Sequence, residues 1–173
     1  MSDLRPVGIN VKIGEEEHSF LFTLNVIDAL QSEYKQTVGE ILSGLSDWEK
    51  APERLRLVLK ELMNDEEIRK GSTKRYTAAE VGCMVTAREI PNLTAAVIAA
   101  YAGAVPEEEE IQPDRDLELL DIASMLIAAT AKMGYSEDEV FRMTPRKYRM
   151  IFEKFLEMNG VKKESDYAID EMP

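Results

Sequence analysis

Residues 133–148 read MGYSEDEVFRMTPRKY and begin with a strong signal for the start of a helix. Ser136 is placed as an N-cap, because its hydroxyl oxygen can accept a hydrogen bond from a main-chain N–H of the first turn. Glu139 follows three residues later and can reach back to complete a capping box. Tyr135 and Val140 flank the cap at the two positions of a hydrophobic staple. The sequence therefore predicts a short helix that starts at this cap.

A second helix start follows eight residues later, at Thr144. Thr144 can cap this helix, and Pro145 occupies the first turn, where its missing N–H is not needed. The first helix is thus limited to barely two turns before the next begins. The last helix has apolar residues at helical spacing: Tyr148, Ile151, Phe152, Phe155 and Leu156. Beyond it, residues 161–173 are polar, and we expect a frayed tail.

The N-terminal residues 7–22 predict a β-hairpin. Apolar residues alternate with other types from Val7 to Ile13, and GEEE at 14–17 is typical of a turn. The returning strand, 18–22, places Phe20 and Phe22 on one face. Because an isolated hairpin is marginal in water, we expect it to pack on helices or on a partner.

Helical patterning dominates between the hairpin and the double helix start. The apolar spacing predicts helices over 24–34, over 38–45 with an end near Gly44, from Pro52, over 77–89 with a capping box from Thr77, and from an Asn92 cap. The polar stretch 64–74 predicts a loop. A further helix is predicted from an Asp114 cap to Gly134, and its apolar residues cover more than one stripe, which is typical of a buried central helix.

Residues 106–113 are the clearest candidate for a linker. They read PEEEEIQP, and four like charges between two prolines should extend the chain. The predicted organisation is therefore a hairpin plus helical lobe over 1–105, a linker over 106–113, a second helical lobe over 114–160 and the tail. The predicted fold class is mainly α with a small N-terminal β-hairpin, in two helical lobes.

Composition excludes several classes of function. The 173 residues carry 33 acidic and 21 basic side chains, a net charge of −12, which disfavours binding to a phosphate backbone. No apolar run is long enough to span a bilayer and no signal peptide is visible, so we expect a cytoplasmic protein with no membrane partner. One cysteine rules out an internal disulfide.

Catalytic and metal-binding patterns are not found in the sequence. A zinc site needs several Cys or His ligands, and the chain has one of each. His18 is expected at the surface or across the hairpin, and Cys83 in an apolar helix is expected to be an inert core residue. No nucleophile–base set or Gly-rich phosphate loop is present. Paired carboxylates stay open, with no particular pair indicated. We expect no enzyme activity, cofactor, metal or small-molecule substrate.

Five basic residues cluster in the acidic C-terminal half: Arg142, Arg146, Lys147, Arg149 and Lys154. One interpretation is a solvated helix surface that pairs with Glu153 and Glu157. Another is a binding site for an acidic segment of a partner or of this chain. A third is a helix-turn-helix regulator over residues 135–158 that reads a DNA groove. The net negative charge weighs against this regulator.

Two segments resemble the tail assembly chaperones of long-tailed bacteriophages. The pattern Gly-Tyr-Ser-x-x-Glu-x-(aromatic)-x-Met-Thr-Pro-Arg at 134–146 is similar to the C-terminal segment of that family. Residues 11–30, with a Gly hairpin and then Phe-Thr-x-Asn leading into a helix, resemble its N-terminal part. In many such phages a ribosomal frameshift joins two parts, whereas here both lie on one chain.

The resemblance implies a non-enzymatic role in the host cytoplasm of a phage or prophage. Its members bind the tape measure protein, keep it soluble while the tail tube assembles, and are absent from the mature virion. The tail tube protein is a second candidate partner, and the hairpin edge offers self-association. Candidate partner-binding residues are Tyr135, Phe141, Met143, Arg146, Tyr148, Phe20 and Phe22.

Overall fold

The computed structural model describes residues 6, 8–47, 49–106 and 119–161. Its elements are β1 (Ile9–Ile13), β2 (Glu16–Phe20), α1 (Leu24–Tyr34), α2 (Val38–Ser43), α3 (Ala51–Arg69), α4 (Ala78–Met84), α5 (Ile90–Ala104), α6 (Ile122–Met133), α7 (Glu137–Phe141) and α8 (Pro145–Met158). A 3-10 turn, Gly44–Ser46, follows α2. The predicted fold class is confirmed in that the chain is mainly helical with one N-terminal hairpin.

The hairpin is antiparallel, with Ile9 opposite Phe20 and Ile13 opposite Glu16. A two-residue turn joins the strands, and Gly14 adopts a φ of +60° that such turns require and that glycine tolerates. The apolar face of the hairpin packs on α3 and α5, which supplies the cover that an isolated hairpin lacks.

The main core surrounds α3, which contacts the hairpin, α1, α4 and α5. Its fully buried side chains are Ile13, Phe20, Phe22, Leu30, Ile41, Leu55, Val58, Leu59, Leu62 and Met63, with Val81 and Val97 from the neighbouring helices. α3 buries apolar residues at helical spacing, as its sequence predicted.

A second, smaller core lies under the C-terminal helices. It contains Leu24, Ala129, Val140, Met143 and Tyr148. Leu24 belongs to α1, so the predicted N-terminal and C-terminal lobes are in contact here. The predicted linker lies outside the described residues except for Pro106, and the predicted tail lies outside them except for Val161.

The predicted helix caps at Ser136, Thr77 and Thr144 are confirmed. Ser136 accepts the N–H of Glu139 while the Glu139 carboxylate accepts the N–H of Ser136, and Thr77 forms the same box. Thr144 accepts the N–H of Lys147 at the start of α8. Gly134 ends α6 in the left-handed conformation with a φ of +78°. These caps depend on residues within four positions of each other, which is why the sequence reveals them.

Two predictions near α3 and α4 are wrong. The predicted loop over 64–74 is helical as far as Arg69, because α3 carries carboxylates there that bind the hairpin and the Thr23 cap of α1 and need no solvent. α4 ends at Met84 rather than near residue 89. The N–H and hydroxyl of Thr86 both donate to the Glu89 carboxylate, which forms a turn in place of a continued helix.

The predicted Asn92 cap is also wrong, because α5 starts at Ile90 with Pro91 in its first turn. α6 starts at Ile122, and Asp121 caps it by accepting the N–H of Ser124. The predicted cap Asp114 lies outside the described residues. α6 is not a buried helix: Ile127 is 66% exposed. No helix in the described parts of the chain has the length and apolar character needed to cross a membrane.

Candidate partner-binding surface

The segment Phe22–Asn25, part of the N-terminal resemblance, connects the hairpin to α1. Thr23 caps α1 by accepting the N–H of Val26 and donates its hydroxyl proton to Asp65 Oδ1 at 2.8 Å. The Asn25 amide donates to the same oxygen at 3.2 Å. Thr23 and Asn25 therefore both donate to the buried Asp65 carboxylate of α3.

Leu24, between those two residues, contacts the C-terminal resemblance. Its N–H lies in the first turn of α1 and has no acceptor within the helix. The carbonyl oxygen of Met143 accepts this N–H at 2.7 Å, and the Leu24 side chain is fully buried beside Val140 and Met143. The two segments that carry the resemblance are thus in direct contact, although they are 119 positions apart in the sequence.

Tyr148 fixes α8 against α6. Its hydroxyl donates to the carbonyl oxygen of Met125 at 3.0 Å, and its ring stacks on Phe152 with centroids 5.9 Å apart. Burial raises the pKa of Tyr148 above its ordinary value of 10.0, so the phenol stays protonated and remains a donor at neutral pH.

Most of the predicted partner-binding residues are used inside the fold. Phe20 and Phe22 are fully buried in the main core, where Phe22 packs edge-to-face on Tyr101. Met143 and Tyr148 are buried in the smaller core. Tyr135, Phe141 and Arg146 are half-buried and keep part of their side chains at the surface. Aromatic residues in a short motif do not reveal which way they face, so the sequence could not separate the two groups.

Apolar surface is found instead on α6 and the end of α8. Ile127 of α6 is 66% exposed and Met158 of α8 is 79% exposed. Leu126, Phe155 and Leu156 are half-buried. We call these five residues the α6–α8 surface. Contiguous apolar patches are typical of protein-binding surfaces, whereas single exposed apolar side chains are common on any protein.

Ion pairs account for part of the basic cluster. Arg149 Nε lies 3.1 Å from Glu153 Oε1, and Lys154 Nζ lies 2.7 Å from Glu157 Oε2, as the surface interpretation predicted. These exposed pairs follow helical spacing and contribute little stability. At the start of α8, Pro145 and Tyr148 are buried on the fold, whereas Arg146 and Lys147 are half-buried and Arg149 is exposed.

The sequence missed a group of buried charges between β2 and α3. His18 was expected near the surface, but it is 3% exposed, and its Nδ1 lies 2.8 Å from Glu66 Oε2. Burial raises the pKa of Glu66, but hydrogen bonds from His18, the Ser19 N–H and Lys70 outweigh burial, and the pKa lies below its ordinary 4.5. The Glu66 carboxylate is therefore ionised at neutral pH, and His18 donates through Nδ1.

Asp65, the residue directly before Glu66 in α3, completes this group. Its second oxygen accepts from Arg69 Nε at 2.8 Å, and Arg69 also donates to the carbonyl oxygen of Ser19 at 2.9 Å. Apart from the contacts of Arg69 and Lys70 with carboxylates along α3, these hydrogen bonds join different elements of the fold, and the group holds the hairpin on α3. Among the residues that the structure describes, no cluster of His, Cys, Asp and Glu has the arrangement of a metal site.

Cys83 is exposed, so the prediction of a core position is wrong. It borders a cavity of about 420 Å³ between α3 and α4, where Arg56 lies against Gly82. A larger open groove of about 640 Å³ runs between α2, α5 and the start of α8. At its rim the Gln31 amide pairs with both main-chain groups of Leu120, which fixes the chain ahead of α6.

The chain was compared with known proteins at three levels. No protein family, no curated protein and no solved structure was found to match it.

Proposed function

We propose that this protein is a tail assembly chaperone of a long-tailed phage or prophage, which binds the tape measure protein and keeps it soluble in the host cytoplasm. The observation behind this proposal is the resemblance at residues 11–30 and 133–148. A contact in the fold supports the proposal, because the two segments meet where the N–H of Leu24 donates to the carbonyl oxygen of Met143. The two segments are far apart along the chain, but they are in contact in the fold and form one structural unit.

The α6–α8 surface is the proposed contact with the client. A tape measure protein is long and helical, and a helical client presents apolar stripes at a spacing of three and four residues. Ile127 and Met158 offer exposed apolar area of the kind that such stripes can cover. Met is unbranched and adapts to different neighbours, which suits a surface that slides along a repetitive client.

Co-expression with the tape measure protein encoded beside it tests this function. We expect the client to stay in the soluble fraction only when this chain is present, and to be recovered with it by affinity capture. A client that is equally insoluble with and without this chain, with no complex recovered, would contradict the chaperone proposal. Salt-dependent binding of duplex DNA in a gel-shift assay would instead favour the helix-turn-helix regulator.

The contact surface has a matched test. Ile127→Asp places a charge on the α6–α8 surface, whereas Ile98→Asp makes the same change on α5, where Ile98 is 47% exposed. We expect the first variant to lose client capture by about tenfold and the second to retain it, since a charge buried in an apolar contact costs at least ~1.4 kcal/mol. Equal capture by both variants would place the contact elsewhere.

A further inference from the structure

The two edges of the hairpin differ in their hydrogen bonding. The outer edge of β2 is covered at Ser19, whose N–H donates to Glu66 Oε1 at 2.9 Å and whose carbonyl oxygen accepts from Arg69 at 2.9 Å. Both main-chain groups of Ser19 therefore point away from β1 and toward α3. Covering an edge in this way prevents another strand from pairing with it.

The outer edge of β1 has no such cover in the described part of the chain. Asn10 lies opposite Ser19, and directly opposed residues of an antiparallel pair either both face each other or both face outward. Asn10 therefore directs its N–H and carbonyl oxygen outward, and so does Lys12 two residues later. None of these four main-chain groups forms a hydrogen bond with another described residue. The side chains of Asn10 and Lys12 are also exposed.

Side-chain burial points to the same edge. On the apolar face of the hairpin, Phe20 and His18 of β2 are buried. Their partners on β1, Ile9 and Val11, are only half-buried although they lie on the same face. The core thus covers Phe20 and His18 of β2 and also Ile13 at the turn end of β1, and it leaves apolar area at Ile9 and Val11.

We propose that β1 pairs with β1 of a second copy of this chain, antiparallel, with Val11 on the two-fold axis. The resulting sheet has four strands in the order β2-β1-β1-β2. This inference concerns self-association and does not depend on the identity of the client.

The main chain fits this register. With Val11 opposite Val11 of the second copy, Asn10 lies opposite Lys12 of that copy on each side of the axis. Asn10 and Lys12 are the residues whose N–H and carbonyl groups point outward, so each pair can exchange two main-chain hydrogen bonds. Val11 forms the closer, non-hydrogen-bonded pair, in which the side chains approach most tightly.

The side chains of β1 also fit the register with Val11 on the two-fold axis. This fit favours a second copy of the chain over an unrelated strand. On the apolar face, Ile9 lies opposite Ile13 of the second copy, and the half-buried valines cover each other. On the polar face, each Lys12 lies between Asn10 of the other copy and Glu17 of its own β2, so no like charges are opposed. Residues 9–13 contain no proline and pair without a bulge, so two of the common protections of an edge strand are missing, and the charge of Lys12 faces the neutral Asn10 in the proposed pairing.

Two charge variants test the pairing. Asn10→Lys opposes two like charges on each side of the axis, whereas Asn10→Glu places a carboxylate opposite Lys12 of the other copy. Within one chain both variants face the neutral Ser19, so their effects on the monomer should be similar. We expect the dissociation constant of the dimer, measured by sedimentation equilibrium, to rise about tenfold for Asn10→Lys and not to rise for Asn10→Glu.

A cross-linking experiment tests the register. In a Cys83→Ser background, Val11→Cys places two thiols opposite each other across the axis, within the reach of a disulfide. Asn10→Cys, one residue away and more exposed, faces Lys12 of the second copy and should not link to itself. We expect mild oxidation to give a disulfide-linked dimer at least about tenfold faster for Val11→Cys than for Asn10→Cys.

Several outcomes would overturn the proposal. A wild-type chain that is monomeric at every concentration would do so, and amide exchange protection of Asn10 and Lys12 in that monomer would show that another part of the chain covers the edge. A dimer weakened equally by both charge variants, or cross-linked equally at both positions, would show that the contact is not this edge in this register. Circular dichroism of each variant establishes that it is folded.

Discussion

The hairpin and the C-terminal helices are attached to the rest of the molecule by different means. β2 is fixed on α3 by hydrogen bonds from His18 and Ser19 to the buried Glu66 carboxylate, and the Thr23 cap that follows β2 is fixed by a hydrogen bond to Asp65. The helices α6 to α8 are held mainly by a small apolar core around Leu24 and by caps within each helix. Buried charge-assisted hydrogen bonds require one geometry, whereas apolar contacts accept other partners. The first region is suited to a rigid base and the second to an adaptable binding surface.

The comparison predicts that two ion pairs with the same spacing differ greatly in their effect on stability. Asp65 is buried beside Arg69, and Glu153 pairs with the exposed Arg149. Asp65→Ala leaves the Thr23 hydroxyl and a guanidinium without their acceptor, and we expect a loss of about 3–5 kcal/mol in the free energy of unfolding. Glu153→Ala should cost at most about 0.5 kcal/mol. Urea unfolding of both variants measures the difference, and similar losses would contradict it.

Glu66 should give the hairpin region a sensitivity to acid. The pKa of its carboxyl is held below the ordinary 4.5, so the folded chain binds this proton less readily than the unfolded chain. The stability that it contributes is present above pH 4.5 and is lost as the pH falls through the lower, folded pKa. Glu66→Gln should cost about 1.5–3 kcal/mol at neutral pH, because a charged acceptor becomes neutral.

The measurement is the urea midpoint of the wild type and of Glu66→Gln from neutral pH down to about pH 3, below the ordinary carboxyl range. The difference in urea midpoint between the wild type and Glu66→Gln should become smaller below pH 4.5. A difference in urea midpoint that stays constant over this pH range would show that ionised Glu66 does not hold β2 on α3.

The smallest effect is expected in the C-terminal helices. Ser136→Ala removes the side-chain acceptor for the N–H of Glu139 and should cost about 1 kcal/mol. Ser32→Ala, an exposed change inside α1, is the control and should lie within about 0.5 kcal/mol of the wild type. If both variants unfold at the same urea concentration, the cap of α7 contributes nothing, and the stability of this region comes from its apolar core alone.

Sequence reasoning identified features whose partners lie close together along the chain. The caps at Thr77, Ser136 and Thr144 each join residues within three positions, and the hairpin follows from alternation around a Gly turn. The end of α6 at Gly134 follows from the left-handed backbone that glycine tolerates. These features depend on local geometry, which the order of residue types already contains.

Tertiary structure decided which polar and aromatic residues are buried. Thr23 and Asp65 are 42 positions apart, and His18 and Glu66 are 48 apart, so no local pattern pairs them. The predicted loop from Asn64 is helical because those carboxylates find partners on β2 and at the start of α1 instead of water. Contacts with distant elements also decide which apolar side chains are covered. Buried are Phe20, Phe22, Met143 and Tyr148, and exposed are Ile127 and Cys83. The side of a helix or strand that is covered depends on distant elements, and only their packing determines it.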